Sequence, residues 1–231
     1  MTSLGGSLMN RRIRRRELLP SFSLVEMLIV VAIISILSIL SLTAYTQIVR
    51  SVSLTASTQM LTEALDLARQ TAVTRDCAVE FRIYQLPDAN APAAATPTVY
   101  RAFQTFLITE NATNALTKIS YLPSPGIISS DPAVTSLANI AAVPASSFTQ
   151  GTLGSAAPQT VPVYGTQYKA IPFRFNPSGA LSDASDQLDA TKQWFLTVML
   201  ERDSTSASGL PKNYATIQLD PFTGRAKVFR P

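Results

Sequence analysis

An uninterrupted apolar run near the N-terminus constrains the fold of this chain more than any other sequence feature. Residues 28–42 carry no charge and consist mostly of Leu, Ile and Val. A helix of about twenty apolar residues rises about 30 Å, which is enough to cross the hydrocarbon core of a bilayer. The sequence therefore predicts a membrane-spanning helix over residues 22–48.

A basic leader precedes this run. The whole formal net charge of +4 lies within residues 1–21, where five arginines accompany the single acid Glu17. Positive residues that flank a membrane span favour the cytoplasmic side. We therefore expect a single pass through a membrane, with a cytoplasmic N-terminus and an exported C-terminal domain. The five arginines are Arg11, Arg12, Arg14, Arg15 and Arg16.

The residue composition excludes several classes of enzyme. The chain has no His and a single Cys, Cys77. A zinc site of the usual His/Cys type, a Ser-His-Asp or Cys-His nucleophile and an intrachain disulfide are therefore all excluded. Carboxylate pairs, glycine-rich phosphate loops and Ser/Lys dyads give no candidate either. We predict that the protein is not an enzyme and uses no cofactor.

The charges beyond the leader indicate neither a nucleic-acid site nor a metal site. Basic and acidic residues are balanced after residue 21, and no basic stripe with interleaved aromatic residues occurs, so we expect no nucleic-acid binding by the globular domain. Asp183, Asp186 and Asp189 are spaced three residues apart. They lack the glycine-centred loop with a terminal Glu that binds calcium, so the pattern favours a solvated acidic loop.

Three interpretations compete for the N-terminal segment. A secretory signal peptide has an apolar stretch of about 7–15 residues before small residues at a cleavage site, and this stretch is longer and ends in Leu42-Thr43-Ala44-Tyr45. A plain membrane anchor explains the length and the arginines. It leaves Glu26 unexplained, because a carboxylate near one end of an apolar span is costly without a partner.

The third interpretation starts from residue order: basic leader, Ser21, Phe22, then Ser-Leu-Val, Glu26 and the apolar run. This order resembles the signal of type IV prepilins and type II secretion pseudopilins. The resemblance implies that prepilin peptidase cuts between Ser21 and Phe22 and methylates the new amine of Phe22. Glu26 would then be the fifth residue of the mature chain, where the family carries a glutamate. Ser21 stands where the family usually has Gly.

The resemblance also implies a role for Glu26 in setting the register between subunits. Apolar helix faces pack by dispersion and shape, which give weak axial register. A buried carboxylate is tolerated when a cation lies within hydrogen-bonding distance, and cleavage would create one at Phe22 of an adjacent subunit. The alternative is that Glu26 extends to the membrane interface from the first turn of the helix.

Beyond the apolar run the pattern becomes amphipathic over residues 49–76. One helical stripe collects apolar residues at spacings of three, four and seven, which predicts a helix face that packs on a sheet. The stripe consists of Leu54, Leu61, Leu65, Ala68 and Ala72. We expect one helix from residue 22 to about residue 74.

A β-rich domain is predicted over residues 77–231. Val79, Phe81 and Ile83 alternate with polar residues, which indicates a half-buried strand. Further strands are predicted at residues 100–109, 168–175, 194–201, 215–219 and 225–229, with long loops at 87–98 and 123–165 and a turn at 220–224. The segment 123–165 is either an excursion over the surface or partly disordered. The predicted fold class is α+β: a long N-terminal helix, part transmembrane and part amphipathic, packed on an antiparallel sheet.

A closer resemblance concerns nearly the whole chain. Ala-Arg-Gln-Thr-Ala at residues 68–72 and Ile-Gln-Leu-Asp-Pro-Phe-Thr-Gly-Arg-Ala-Lys-Val at 217–228 resemble the layout of H-type minor pseudopilins. Tyr-Leu-Pro at 121–123, Ile-Ser-Ser-Asp-Pro at 128–132 and the terminal Phe-Arg-Pro are similar to the prepilin-type cassette protein D family of Verrucomicrobia. This resemblance implies a pilin-like fold and export. It also implies a single pass through the bacterial inner membrane, in contact with its lipid, with the C-terminal domain in the periplasm.

Two functions remain open at this point. The first is a prepilin-like structural subunit, processed by prepilin peptidase and assembled through its N-terminal helix with other pilin or pseudopilin subunits into a type IV pilus or type II secretion pseudopilus. The second is a non-polymerising, single-pass membrane-anchored periplasmic binding module. The first requires a chain that begins at methylated Phe22, whereas the second permits Met1 to persist.

Overall fold

A computed structural model describes the greater part of the chain. It divides the chain into two compact units, Met1–Tyr45 and Thr46–Pro231. The predicted leader and the cleavage and methylation sites at Ser21 and Phe22 lie outside the described residues. The structure describes residues 23–88, 99–109, 113–139, 143–144, 168–182, 192–204 and 210–231, without the side chains of residues 40–44, 46, 143 and 144.

Helix α1 runs from Leu24 to Arg75. Glu26 in its first turn and Arg75 in its last turn both have the charge that the helix dipole favours at that end. The helix ends where Asp76 adopts a left-handed backbone with φ of 51°. The amide of Cys77 donates to the carbonyl of Ala72 at 3.3 Å, which closes the last turn as a Schellman motif.

Eleven antiparallel strands form one sheet within the described residues. The strands are β1 (Ala78–Gln85), β2 (Tyr100–Ile108), β3 (Thr113–Ala115), β4 (Ser120–Tyr121), β5 (Gly126–Ile128), β6 (Val143–Pro144), β7 (Lys169–Phe175), β8 (Leu181–Ser182), β9 (Trp194–Leu200), β10 (Ala215–Leu219) and β11 (Ala226–Phe229). The main path of the sheet has the order β11-β10-β9-β5-β2-β1-β7-β6, while β3 and β4 pair with β2 and β8 pairs with β7.

The predicted helix stripe is confirmed. Its five residues are all buried, with an exposed fraction of at most 2%. They belong to one core cluster with residues from β1, β7, β9 and β10. Polar contacts fix the same stretch of helix to the loops: Ser53 Oγ donates to the carbonyl of Pro123 at 2.9 Å, and Arg69 Nε donates to the carbonyl of Thr223 at 2.5 Å.

Part of the segment 123–165, which the sequence left open, belongs to the sheet. Strand β5 is buried and pairs with both β2 and β9. A 3₁₀ helix follows at Ser136–Asn139, where Ser136 Oγ accepts a hydrogen bond from the amide of Phe195 at 2.7 Å. The stretch from 123 to 139 is therefore structured, whereas residues 145–165 lie outside the described residues, as do 89–98 of the other predicted loop.

The prediction that β1 is half-buried is wrong. Glu80, Arg82 and Tyr84, which alternate with the apolar residues, are fully buried. Strands β2 and β7 flank β1 on both sides. A second apolar cluster covers the face away from α1, and it includes Tyr84, Ala102 and Tyr168. Both faces of the strand are therefore covered.

The predicted fold class also needs correction. No helix among the described residues is long and apolar enough to cross a membrane. A large antiparallel sheet dominates the architecture, in place of the predicted pilin-like fold with a half-transmembrane helix. The lack of a membrane-spanning helix among the described residues also contradicts the predicted single-pass inner-membrane localisation.

Gly126 lies where β5 approaches α1. A Cβ atom added there would lie 2.2 Å from Ser57 Oγ and 2.9 Å from the carbonyl oxygen of Pro123. Because Ser57 is itself fully buried, we expect Gly126→Ala to lower the free energy of unfolding by about 1–3 kcal/mol. Urea unfolding followed by circular dichroism measures the loss. Adding Ser57→Gly should restore part of it, and an unchanged midpoint for Gly126→Ala would contradict the close approach.

Candidate functional site

The most unusual surface of the molecule is the first part of α1. Twelve large apolar side chains between residues 24 and 39 are exposed, with exposed fractions from 42% to 80%. We call them the apolar helix surface. They are Leu24, Val25, Met27, Leu28, Ile29, Val30, Val31, Ile33, Ile34, Ile36, Leu37 and Ile39.

The apolar helix surface extends around the whole circumference of the helix. The five consecutive residues from Met27 to Val31 are all exposed, and five residues are more than one helical turn. Ser35 and Ser38 do not interrupt it, because their hydroxyls donate to the carbonyls of Val31 and Ile34, each at 2.7 Å. A helix that is apolar on every side is normally covered by other apolar groups.

Glu26 lies at the start of this surface. Its side chain is exposed in the first turn of α1, where a negative charge suits the N-terminal end of the helix dipole. Glu26 makes no hydrogen bond or ion pair with another described residue. Of the three residues that the sequence singled out, Glu26 alone is described. Its distance from Ser21 and Phe22 is therefore not defined.

A buried ionic cluster lies in the second unit, and sequence reasoning missed it. Glu80 accepts a hydrogen bond from Arg82 Nε at 2.6 Å and one from Arg174 Nε at 3.2 Å. The guanidinium of Arg82 also lies 4.2 Å from the ring centre of Phe106. Alternation in β1 makes these residues look solvent-facing. The one sequence signal that bears on this cluster is Arg174, a basic residue within another β-prone segment, which can pair with Glu80 if the two strands are neighbours.

The ionic cluster is largely shielded from solvent. Arg82 and Glu80 are fully buried, and Arg174 has a side chain that is 15% exposed. Nearby, burial raises the pKa of Tyr84 above its ordinary value, and the Tyr84 hydroxyl donates to Gln104 Oε1 at 3.1 Å. Within the described residues, these groups have little contact with solvent, so the cluster offers no accessible surface for a ligand.

A second surface feature lies at the turn between β10 and β11, and we call it the hairpin cleft. Its volume is about 510 Å³. Three basic residues, Lys192, Arg225 and Lys227, line it together with Asp220 and Phe222. The remaining lining residues are Gln193, Gln218, Leu219, Pro221 and Thr223.

The prediction of a turn at residues 220–224 is confirmed. The amide of Gly224 donates to the carbonyl of Asp220 at 2.7 Å. The Asp220 carboxylate accepts from the hydroxyl of Thr223 at 2.7 Å and from the amide of Phe222 at 3.0 Å. These hydrogen bonds lower the pKa of Asp220, with that from Thr223 the largest cause. The carboxylate is thus ionised at neutral pH and engaged by its own turn.

Metal ligands and thiol chemistry give no further candidate. Within the described ranges no group of three or more His, Cys, Asp or Glu residues could hold a metal ion. Asp183, Asp186 and Asp189 lie outside the described residues. Cys77 is a free cysteine and is partly buried at the junction of α1 and β1.

Comparison of the chain with protein-family models, curated proteins and solved structures finds no match. The resemblance to prepilins and pseudopilins therefore rests on the N-terminal residue order and the segments quoted above.

Proposed function

We propose that the protein is a prepilin-like structural subunit. In this proposal, prepilin peptidase removes residues 1–21, and the helix that follows packs against the same helix of other pilin or pseudopilin subunits in a type IV pilus or type II secretion pseudopilus. The observation that supports it best is the apolar helix surface, which is exposed on every side of α1 between Leu24 and Ile39. The proposal requires that these helices pack against one another. It does not require that the described helix span a membrane.

The energetics favour association through this surface. Fully burying a Leu, Ile or Val side chain contributes about 1.5–3 kcal/mol, and twelve large apolar side chains are available. Among the described residues, the core cluster of the second unit includes none of these twelve side chains, and its helical members begin at Leu54. Covering the apolar helix surface in an assembly therefore leaves that cluster unchanged.

Glu26 supplies the element that apolar contacts lack. Dispersion and shape hold such helices together without fixing how far one is displaced along another. A carboxylate with no partner among the described residues would be costly once neighbouring helices cover it. The amine of Phe22 on an adjacent processed subunit could pair with it, and that pair would favour one stagger.

The alternative function, a single-pass membrane-anchored binding module, requires a membrane span, and no helix among the described residues is long and apolar enough to form one. N-terminal sequencing and intact mass of the native protein test the preferred function. The expected chain begins with N-methylated Phe22. A native chain that retains the arginine-rich residues 1–21 would overturn the proposal, because the amine that pairs with Glu26 would not exist.

The role of Glu26 can be tested by substitution. We expect Glu26→Leu to leave cleavage before Phe22 intact and to lower the amount of other pilin-like subunits that co-purify with the protein several-fold, because a charge pair between subunits is lost. The matched control is Glu63→Leu, since Glu63 is also exposed on α1. Co-purification undiminished by Glu26→Leu would contradict a role in register.

A further inference from the structure

Within the described part of the chain, β11 is an edge strand of the sheet and lies beside the hairpin cleft. Among the described strands β11 pairs with β10 and with no other. All its residues except Ala226 are exposed, which includes Val228 at 39% and Phe229 at 43%. An exposed strand edge offers backbone donors and acceptors to another extended chain.

The register shows which backbone groups are available. The amide of Asp220 donates to the carbonyl of Arg225 at 3.1 Å, so these residues form a hydrogen-bonded pair. Hydrogen-bonded and non-hydrogen-bonded pairs alternate along an antiparallel ladder. Lys227 and Phe229 therefore direct their backbone groups towards β10. The N–H and C=O groups of Ala226 and Val228 point to the open edge.

The side chains next to this edge are mainly cationic. Arg225, Lys227 and Phe229 share one face of β11 because side chains alternate, and Lys227 lies opposite Gln218 on β10. Ala226 packs towards the core cluster. The cations therefore lie on the face away from the core. Lys227 Nζ also lies 4.9 Å from the ring centre of Phe229.

The described residues that line the cleft have a net positive charge. Three of them are basic, Lys192, Arg225 and Lys227, and one is acidic, Asp220. Both carboxylate oxygens of Asp220 accept hydrogen bonds within the turn. Phe222 adds an apolar side chain that is 70% exposed. A volume of about 510 Å³ lies within the range of ordinary ligand pockets.

We propose that β11 and the hairpin cleft bind an acidic, extended peptide segment of a partner protein, which adds to the sheet as a strand. The open edge would hold its backbone, the cations its carboxylates and Phe222 an apolar side chain. Three cations in one cleft are a small positive surface for a nucleic acid, and a nucleic acid cannot use the backbone groups of a strand edge. The inference does not depend on the proposed function of the helix.

The binding test uses the full chain in detergent and a fluorescently labelled peptide of alternating Glu and Val. We expect saturable binding by fluorescence anisotropy that weakens as salt is raised. The charge-reversed peptide, with Lys in place of Glu, should not bind. Failure of the acidic peptide to bind, or equal binding of the Lys peptide or of a single-stranded oligonucleotide, would overturn the proposal.

Substitutions in the cleft test the charges. The double variant Arg225→Glu/Lys227→Glu is expected to bind the acidic peptide about tenfold more weakly or worse, because two charge-assisted contacts are lost. Lys212→Glu makes the same kind of charge change at an exposed position outside the cleft and should bind like wild type. The single variant Lys227→Gln should show a smaller loss in the same direction. Wild-type affinity in both cleft variants would refute the site.

Substitutions at the edge test strand addition separately. Val228→Pro removes an N–H that points to the open edge and takes no part in pairing with β10, so an edge strand should tolerate it. We expect it to weaken peptide binding about tenfold, the equivalent of one lost hydrogen bond to a charged or well-placed partner. Val228→Thr keeps the N–H and should bind normally. Equal affinities of these two variants would exclude strand addition.

Glu26→Leu keeps the two proposals distinguishable. The variant should bind the acidic peptide as wild type does, because Glu26 lies in the other unit. Loss of subunit association with intact peptide binding would support both proposals. Loss of peptide binding in Glu26→Leu would refute the claim that the cleft acts independently.

Discussion

Replacing Glu80 with Gln is expected to lower the free energy of unfolding of the globular unit by about 3–5 kcal/mol, because removing one partner of a buried ion pair leaves the other charge uncompensated. Glu80 accepts hydrogen bonds from two arginines, Arg82 at 2.6 Å and Arg174 at 3.2 Å. Arg82 is fully buried, so water cannot replace the lost carboxylate.

Urea unfolding followed by circular dichroism measures this loss for the Glu80→Gln variant. The matched control is Glu63→Gln. Glu63 is exposed and accepts a hydrogen bond from Gln59 at 2.8 Å, so its substitution should change stability by at most about 0.5 kcal/mol. Arg174→Gln should cost less than Glu80→Gln, since the Arg174 side chain is 15% exposed. A Glu80→Gln variant as stable as the control would show that the cluster contributes little.

Leu65→Ala is expected to destabilise the globular unit by about 2–5 kcal/mol, since truncating a buried leucine removes apolar contacts and leaves a cavity. Leu65 is fully buried in the core cluster between α1 and the sheet. It lies in the middle of the stripe, with Leu61 and Ala68 on either side along the helix. The surrounding core therefore has little freedom to collapse into the space.

Leu67→Ala is the matched control for this variant. Leu67 lies two residues further along the same helix and is 52% exposed, so its truncation should cost less than about 0.5 kcal/mol. Thermal and urea unfolding of both variants measure the difference. Similar losses in the two variants would mean that the stripe does not form the contact between α1 and the sheet. Alanine has a higher helix propensity than leucine. A loss of stability seen only for Leu65→Ala therefore cannot be attributed to helix propensity.

The apolar helix surface and Glu26 could be identified from the residues alone, because an uninterrupted apolar run and a solitary acid are visible in the sequence. The interpretation of the apolar run as a membrane span was wrong, because no helix among the described residues is long and apolar enough to cross a membrane. An apolar run shows only that contact of these side chains with water is unfavourable. Hydrophobicity does not distinguish bilayer hydrocarbon from the apolar surface of a neighbouring helix.

The hairpin cleft could be predicted only in part. The turn at residues 220–224 follows from its Asp, Pro, Thr and Gly residues, which make their own hydrogen bonds. Lys192 comes from before β9 and joins the cleft through the pairing of β9 with β10. That long-range pairing has no signature in the local sequence, so the cluster of cations could not be predicted.

The sequence by itself determined the features that arise from neighbouring residues: the stripe from Leu54 to Ala72, whose spacing follows the helical repeat, and the turn after β10. Tertiary structure alone decided the burial of Glu80 and Arg82, the insertion of β5 between β2 and β9, and the open edge of β11. The physical reason is that periodicity specifies which side chains share a face. Whether a polar face is covered depends on strands such as β7, which places Arg174 opposite Glu80 from 94 residues away.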